Sequence, residues 1–470
     1  MPGPTYSRTR KTSEHKIRRA LAGVLPKSFW LDQSGKPDPL APLEEHLNAD
    51  LVIVGGGYSG LWTALQAKEA DPARSVVLLE GREVGWAASG RNGGFVEATL
   101  THGDANGERH FPREMQTLNR LGQENFEEFV GAINRYSIDA ELEQPGMLTV
   151  ATDQYQLDDF VEDGTDSQLY DQNTIGQLVN SPVFLAGRLE HKGIALVNPA
   201  KLAWGLRRVC LELGVQIFEN SPAIRIRDRG TTVHVSTKHG SVSARRVALA
   251  TNAFPSLLKR TAWLTVPVYD YVLMTEPLSD EQLKATGWAE RFGITDSARQ
   301  FHYYRKTKDN RILFGGFDAI YHRGGHVRDE YDQREETFEL LADHFFTTFP
   351  QLDVKFTHAW GGAIDMCTRL TAFQGTAFGG KVAYSAGFTG LGVASTRFGA
   401  KVMLDLLSGE ETELTDLKLV RSKPVPVPPE PLAYPLIQIM RRAIETSDAT
   451  NGRDGLLIKA ADAVGIGFDS

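Results

Sequence analysis

With 470 residues, a formal charge of −8, 41% hydrophobic content and 45 glycines, the chain has the make-up of a globular protein of two joined domains rather than a disordered or fibrous one. Its acidity gives no general electrostatic footprint for nucleic acid. Only Cys210 and Cys367 are present, which excludes a disulfide framework and leaves no Cys/His cluster with zinc spacing.

The amino end has no apolar signal core, and no apolar run reaches the roughly 18 residues of a membrane helix, so a metal-free protein of the reducing cytoplasm is expected. Met1–Val24 sets Arg8, Arg10, Lys11, Lys16, Arg18 and Arg19 against one acid, Glu14, and runs on into Pro26, Pro37, Pro39 and Pro42. This reads as an extension that wraps or frays, with a solvated tail as the default. A strand at Leu51–Val54, a helix over Gly60–Glu69 and a strand at Ser75–Glu80 then make one βαβ unit. Helical periodicity returns across Glu114–Tyr136 and at Pro199–Leu213, where Leu202, Leu206, Val209 and Leu213 hold a spacing near 3.6. Strands are predicted at Val215–Glu219, Val233–Thr237, Arg246–Ala250, Val268–Thr275, Arg311–Gly315 and Lys381–Ser385, with a helix after the last ending near Leu407. Pro424, Pro426, Pro428, Pro429 and Pro431 interrupt regular structure before Leu436–Ile444, an apolar and basic stretch suited to a docking helix. The fold class is mixed α/β, and no fixed-period repeat occurs.

The sharpest chemical signal is Asp50-Leu-Val-Ile-Val-Gly55-Gly56-Gly57-Tyr58-Ser59-Gly60, with Glu80 closing the next strand. Gly55 permits the tight turn, Gly57 lets the backbone approach a pyrophosphate, and Gly60 lets the helix pack closely on the sheet. The free N–H groups of Tyr58, Ser59 and their neighbours then face the phosphates at the helix's positive end, and Glu80 is placed to accept ribose hydroxyls. An ornamental glycine turn is the bland alternative, but strand, turn, helix, strand and acid occur in the order a dinucleotide site requires. Beyond Glu80, the loop Gly81 to Gly94 is more than a simple nicotinamide domain needs. Its glycines and small residues, Gly81, Ala88, Gly93 and Gly94, let backbone amides face an anion or ring edge, while Arg82, Ser89, Arg91 and Asn92 add donors. A second cluster, Ala386-Gly387-Phe388-Thr389-Gly390-Leu391-Gly392, aims another helix N-terminus into the site, and its partial positive charge would suit an anionic ring such as a reduced flavin.

Together these stretches resemble the D-amino-acid oxidase-like superfamily of FAD enzymes, and within it the branch of γ-glutamylputrescine, glycine and sarcosine oxidases. The resemblance runs from about Asp50 to Gly409 and is carried also by Val247-Ala-Leu-Ala-Thr251-Asn252-Ala253 and Trp360-Gly-Gly-Ala-Ile-Asp365. It implies a Rossmann-like FAD domain in three pieces, 48–110, 193–256 and 357–412, interleaved with a mixed-sheet substrate domain at 111–192 and 257–356. Extensions at 1–47 and 413–470 flank them. It further implies FAD contacts at Thr251, Asn252, Trp360, Gly387, Phe388, Gly390 and Gly392. The implied reaction sends the hydride beside the nitrogen of a small amine or amino acid to flavin N5, gives an imine that hydrolyses, and reduces O2 to hydrogen peroxide. Sarcosine oxidases tether their flavin through a cysteine near Trp360–Phe373, with which Cys367 does not align, so non-covalent FAD is expected. The lysine that promotes reaction with oxygen is matched by Phe314 on the strand Ile312–Asp318, which leaves open a dehydrogenase using a quinone or protein acceptor. A flavin-holding subunit without turnover, docked through the basic amino end, is the third reading.

Candidates for the substrate face come from strand alternation, with Tyr269 and Tyr271 on one face and His302 and Tyr304 on another. Aromatic walls suit an amine beside a flavin, although ordinary sheet packing explains any single tyrosine. His302, His322 and Arg305 are weaker candidates. Asp365 would pair with a substrate ammonium and Arg369 with a substrate carboxylate, and the sequence does not choose between them.

Overall fold

Leu51–Val54, Val76–Leu79 and Val247–Leu249 are apolar on both faces, as strands covered on both sides must be. In the computed structural model, which describes residues 4–161 and 167–463, they form the middle of the first sheet. Gln216–Phe218, Val76–Leu79, His46–Val54, Ser241–Leu249 and Val382–Ala386 lie parallel in that order, with Phe373–Ala377 antiparallel at the edge. Numbered along the chain the parallel strands run 3-2-1-4-5, so the winding reverses between His46–Val54 and Ser241–Leu249. Leu51 and Ile53 pack on the helices Tyr58–Ala70, Met115–Arg135, Pro199–Glu212 and Ser395–Ser408. Val52 and Val54 face the opposite way, against an antiparallel meander made by Arg225–Asp228, Val233–Ser236 and the start of Ser241–Leu249. The helix Met115–Arg135 therefore shares the core of the first sheet, through Phe126, Phe129 and Ile133, although its sequence falls in the segment expected for the substrate domain.

The second sheet runs Phe356–Met366, Val266–Thr275, Ile312–Gly316, His302–Lys306, Gly293–Asp296, Met147–Ala151, Ala186–Glu190 and Ser167–Asp171. Gly293–Asp296 is parallel to Met147–Ala151, and the other neighbours are antiparallel. Its outer face is sealed by the helix Glu335–Thr348 over Tyr269, Tyr271, Leu273, Tyr304 and Phe314. Its inner face turns toward the first sheet, where Val272, Met274, Leu313 and Trp360 close on Phe29, Trp30, Ala200 and Trp204.

The amino-terminal stretch is not a solvated tail. Ser13 caps the helix Glu14–Leu21, whose Ile17 and Ala20 are buried in the outer-face core beneath Glu335–Thr348. Ahead of it, the Tyr6 hydroxyl lies 2.8 Å from that of Thr348, and Arg8 meets Asp318 at 2.6 Å. Behind it, Leu25 adds to the sheet edge, donating to Thr357 at 2.8 Å and accepting from Ala359 at 3.0 Å. Basic composition alone predicted solvation, but Arg8, Arg10 and Arg19 have carboxylate partners in Asp318, Glu339 and Asp353. At the other end, Leu436–Ile444 lies within the helix Ala433–Ala449, whose Asp448 accepts the Gln300 amide at 3.1 Å. No helix among the described residues is long and apolar enough to cross a membrane.

If the amino-terminal helix is part of the core, Ile17→Ala should cost about 2–5 kcal/mol and lower the denaturation midpoint. The exposed neighbour change Arg18→Ala should stay within about 0.5 kcal/mol. Equal, negligible shifts for both variants in a denaturant melt would show that the helix does not dock in solution.

Candidate active site

The strand His46–Val54 ends in Gly55 at a φ of +112°, where a β-carbon would sit 2.3 Å from the carbonyl oxygen of Ala250. At Gly60 a β-carbon would lie 1.9 Å from the Gly55 oxygen. Two glycines are thus required for the helix Tyr58–Ala70 to start against the carboxyl end of the central strand, at the point where the winding reverses. Doubly wound sheets bind ligands in that crevice. Ser89 takes the Tyr58 amide at 2.9 Å, while the Ser59 hydroxyl in the same first turn is buried with no hydrogen-bond partner. A buried orphan hydroxyl beside the positive end of a helix suits a phosphate oxygen. Gly57 faces Ser89 across the entrance, and a β-carbon there would lie 2.9 Å from the Ser89 hydroxyl.

Glu80 is buried and accepts from the Gly56 amide at 2.6 Å, the Arg82 amide at 2.9 Å and the Trp86 indole at 2.9 Å. Burial pushes its carboxyl upward, and those three donors oppose the rise. A carboxylate has roughly four acceptor positions, so one is left for a ribose hydroxyl. The residues at the crevice fit the adenosine and pyrophosphate of FAD.

The loop after Glu80 is braced from within. Gly81 lies against Pro222, and Ala88–Gly90 form a single tight turn. Asn92 donates to the Ala88 carbonyl at 3.0 Å and accepts the Gly94 amide at 2.8 Å. Gly93 and Gly94 are crowded, their β-carbon positions falling 2.8 Å from the Tyr303 ring and 2.2 Å from the Val197 carbonyl. Arg82 and Arg91, expected as donors to an anion, are drawn instead to Asp329 at 2.8 Å and to Asp332, and Arg91 also donates to the Gly361 carbonyl at 3.1 Å. Trp360 fixes the same loop by donating to the Arg91 carbonyl at 2.9 Å. Thr251 and Asn252 follow Ser241–Leu249 at the opposite lip of the crevice, Asn252 at a φ of +48°.

Gly387, Phe388, Gly390 and Gly392 form the turn into the helix Ser395–Ser408, with positive φ at Gly387 and Gly390. Asp365 holds this turn. Its two carboxylate oxygens accept the Gly387 amide at 2.6 Å and the Phe388 amide at 3.2 Å, and burial pushes it up to about 7. Asp365 therefore braces backbone rather than meeting a substrate ammonium as expected. Arg369 is likewise turned away from any substrate carboxylate, donating to the carbonyls of Thr371, Ala372, Leu419 and Ser422 and so tying the carboxyl-terminal extension to the domain.

The expected aromatic wall faces away from the crevice. Tyr269, Tyr271, His302 and Tyr304 all lie on the outer face. The Tyr269 hydroxyl accepts the Arg328 amide at 2.9 Å, and that of Tyr271 donates to the Tyr331 carbonyl at 2.8 Å. His302 is fixed between Asp296 at 2.7 Å and His344 at 2.9 Å, and Tyr304 stacks on Phe314 with ring centres 5.0 Å apart. His322 stacks on Tyr331 at 3.7 Å. Phe314, expected at the flavin ring, is turned under the same helix. The alternation within each strand is as predicted, but its phase is opposite, because the outer face also needs large apolar groups to bury beneath Glu335–Thr348. The inner face instead presents Asp270 and Tyr303. Their side chains meet at 2.5 Å, and the Tyr303 ring lies edge-on to Phe95 of the FAD-side loop at 5.8 Å. Asp270, a charge amid an otherwise apolar strand, was the overlooked signal. Arg305, on the same inner face, is buried and donates to the Gly93, Gly94 and Val197 carbonyls, clamping the loop.

Gly60→Ala should displace the helix start and abolish flavin retention, seen as loss of the visible absorbance of the purified protein at unchanged far-ultraviolet circular dichroism. A full complement of flavin in that variant would refute the placement of the phosphates.

The sequence pattern of the family described as FAD dependent oxidoreductase matches residues 50–406. Gamma-glutamylputrescine oxidoreductase of Escherichia coli is 31% identical, over 82% of this chain and 89% of its own. A probable oxidoreductase, OrdL, of Haemophilus influenzae is 27% identical over 83% of this chain and 90% of its own. Among solved structures, glycine oxidase from Geobacillus kaustophilus superposes with a TM-score of 0.65 at 17% identity, covering 80% of this chain and 99% of that one, which bears on the fold alone. The chain belongs to the FAD dependent oxidoreductase family and is an oxidoreductase of its amine and amino-acid oxidase type.

Proposed function

We propose that the protein oxidises the C–N bond of a small amine to an imine that water hydrolyses, with O2 as electron acceptor and hydrogen peroxide as co-product. The observation that carries this reading is the roofing of the crevice. The inner face of the substrate sheet lies over the FAD-side loop at the contact of Tyr303 with Gly93 and Phe95, so a small molecule enclosed there lies between sheet and cofactor. The relative named for γ-glutamylputrescine oxidation supports an amine over a hydroxy acid.

In this reading the first turn at Tyr58 and Ser59 holds the pyrophosphate, Glu80 the ribose, and the loop Ser89–Gly94 with the turn Gly387–Gly392 frames the ring system. When bound, the flavin supplies a two-electron acceptor for the substrate's hydride. The chain's own contribution is position and exclusion of water. Trp360, Arg91 and Arg305 fix the loop from the sheet side, and Asp365 fixes the turn opposite. We take FAD to be held without a covalent bond. Cys367 is buried, its thiol donates to the Thr371 carbonyl at 3.2 Å, and burial pushes it upward, away from the reactive thiolate. Cytoplasmic residence is part of the proposal and is supported by two buried free thiols.

One observation favours a second reading. On the strand Ile312–Gly316 the inner-face positions are Leu313 and Gly315, so no lysine stands there to promote reaction with oxygen, and a dehydrogenase passing electrons to a quinone or protein is the alternative.

A panel of amines and amino acids added anaerobically to the yellow holoenzyme separates these readings. An amine should bleach the flavin within seconds, and admitting air should restore the colour with stoichiometric peroxide. Bleaching that air does not reverse, but a quinone does, would transfer the assignment to the dehydrogenase. If no amine bleaches the flavin, amine oxidation is refuted.

A further inference from the structure

Asp270 lies mid-strand in Val266–Thr275, opposite Gly362. Gly362 leaves space. A β-carbon there would meet only the aliphatic carbons of Arg91, at 3.7 and 3.8 Å, so no side chain fills this side of the strand, and Asp270 beside it is partly exposed. One carboxylate oxygen of Asp270 accepts its neighbour's amide, that of Tyr271, at 2.8 Å, and the other accepts the Tyr303 hydroxyl at 2.5 Å. The Gly316 amide is a third donor to it, so of roughly four acceptor positions on a carboxylate one remains, and no basic side chain among the described residues forms an ion pair with it. Burial pushes Asp270 up to about 6, and burial together with the Asp270 charge keeps the Tyr303 hydroxyl protonated and donating. A half-buried carboxylate held by neutral donors alone is stabilised when a cation arrives.

The neighbouring guanidinium groups do not offer the opposite chemistry. Arg91 is paired with Asp332, Arg369 is engaged by the carboxyl-terminal extension, and Arg305 turns its Nη1 to three carbonyls of the FAD side while its Nε is buried without a partner. This part of the inner face therefore presents an anion to whatever enters, where an amino-acid substrate would require a cation for its carboxylate.

We propose that Asp270 is the counter-ion on which the substrate's ammonium group docks before that nitrogen gives up one proton to solvent and reacts as the neutral amine, with Tyr303 as the positioning residue that aims the carboxylate, so that the site takes cationic amines bearing no carboxylate on the reacting carbon. This rests on the reading of the protein as an amine-oxidising flavoenzyme and narrows its substrates.

The test uses holoenzyme and two probes that cannot be oxidised there: tert-butylammonium, whose nitrogen-bearing carbon has no hydrogen, and acetate. Titrated against the visible flavin spectrum, the ammonium should produce a saturable change in the wild type and acetate should not. Asp270→Asn should weaken the ammonium at least about tenfold at unchanged flavin content. Asp270→Glu should recover part of that loss, and Tyr303→Phe should show a smaller weakening. With an oxidised amine, Asp270→Asn should raise KM more than it lowers kcat. The proposal is overturned if acetate binds the wild type more tightly than the ammonium, if the ammonium leaves the wild-type spectrum unchanged, or if Asp270→Asn binds it as the wild type does. Because the wild-type probe comparison needs neither turnover nor a stable variant, failure of amines to bleach the flavin would sink the oxidase reading while leaving this result legible.

Discussion

The site depends on a backbone crossing that admits no side chain. Gly55 passes within van der Waals contact of the Ala250 carbonyl, and Gly60 passes within contact of Gly55. Three pieces of chain, the first strand, the fourth and the helix between the first two strands, are thereby brought to one point. Their hydrogen-bonding groups then face outward by default, since the space behind them is filled. The Ser59 hydroxyl is left without a partner because the packing that defines the crevice puts nothing else in reach. The anion site is thus a consequence of how closely two chain segments can approach, and charged side chains are not needed to create it. This explains how Arg82 and Arg91 can be committed to Asp329 and Asp332 without removing the crevice's preference for phosphate.

That crossing was legible in the sequence because it is local. Gly55, Gly57 and Gly60 lie within one turn, and Glu80 follows at the end of the next strand, so spacing alone carries the geometry. The substrate face was not legible, for an equally definite reason. A strand with apolar groups on both faces carries no sign of which face looks at the active site, and a phase error of one residue exchanges the two sets completely. Tyr269 and Tyr271 were the conspicuous residues of their strand, yet aromatic bulk is what the seal beneath Glu335–Thr348 requires. Asp270 between them is the residue that packing does not explain. In a two-sided strand, the polar exception is the better guide to the functional face than the aromatic rule.

The same distinction governs the extensions. The amino-terminal stretch looked solvated because its charge was counted without its partners, but the helix Glu14–Leu21 offers Ile17 and Ala20 to the outer-face core, and a buried hydrogen-bond chain fixes the segment before it. The His344 Nε2 atom lies 2.9 Å from the carbonyl of Ser7, so it must donate. Burial keeps His344 neutral, so its Nδ1 must accept from His302 Nε2. The other ring nitrogen of His302 lies 2.7 Å from Asp296, which ends the chain. His302 looked like a catalytic candidate because it is a histidine on a strand of the substrate sheet. Its function in the fold is to hand that hydrogen-bond chain to the amino-terminal segment.

Buried ionisable groups in this protein fall into two kinds, and the difference tells structure from chemistry. Asp365, Arg305 and Arg369 are each met by backbone: two amides for the first, and carbonyls from separate chain segments for the others. Such groups stitch together pieces that are distant in sequence, and their charge is compensated by peptide dipoles that cannot leave. Asp270 accepts the amide next to it, the Tyr303 hydroxyl and the Gly316 amide, and it is only half-buried on the inner face of its sheet. A fold gains little from a half-buried carboxylate with no basic partner, since an asparagine or a small apolar residue would pack at lower cost. What sets Asp270 apart is its partial exposure on the inner face, which suits a group retained for what enters the gap, whereas the fully buried Asp365 and Arg369 are part of the frame.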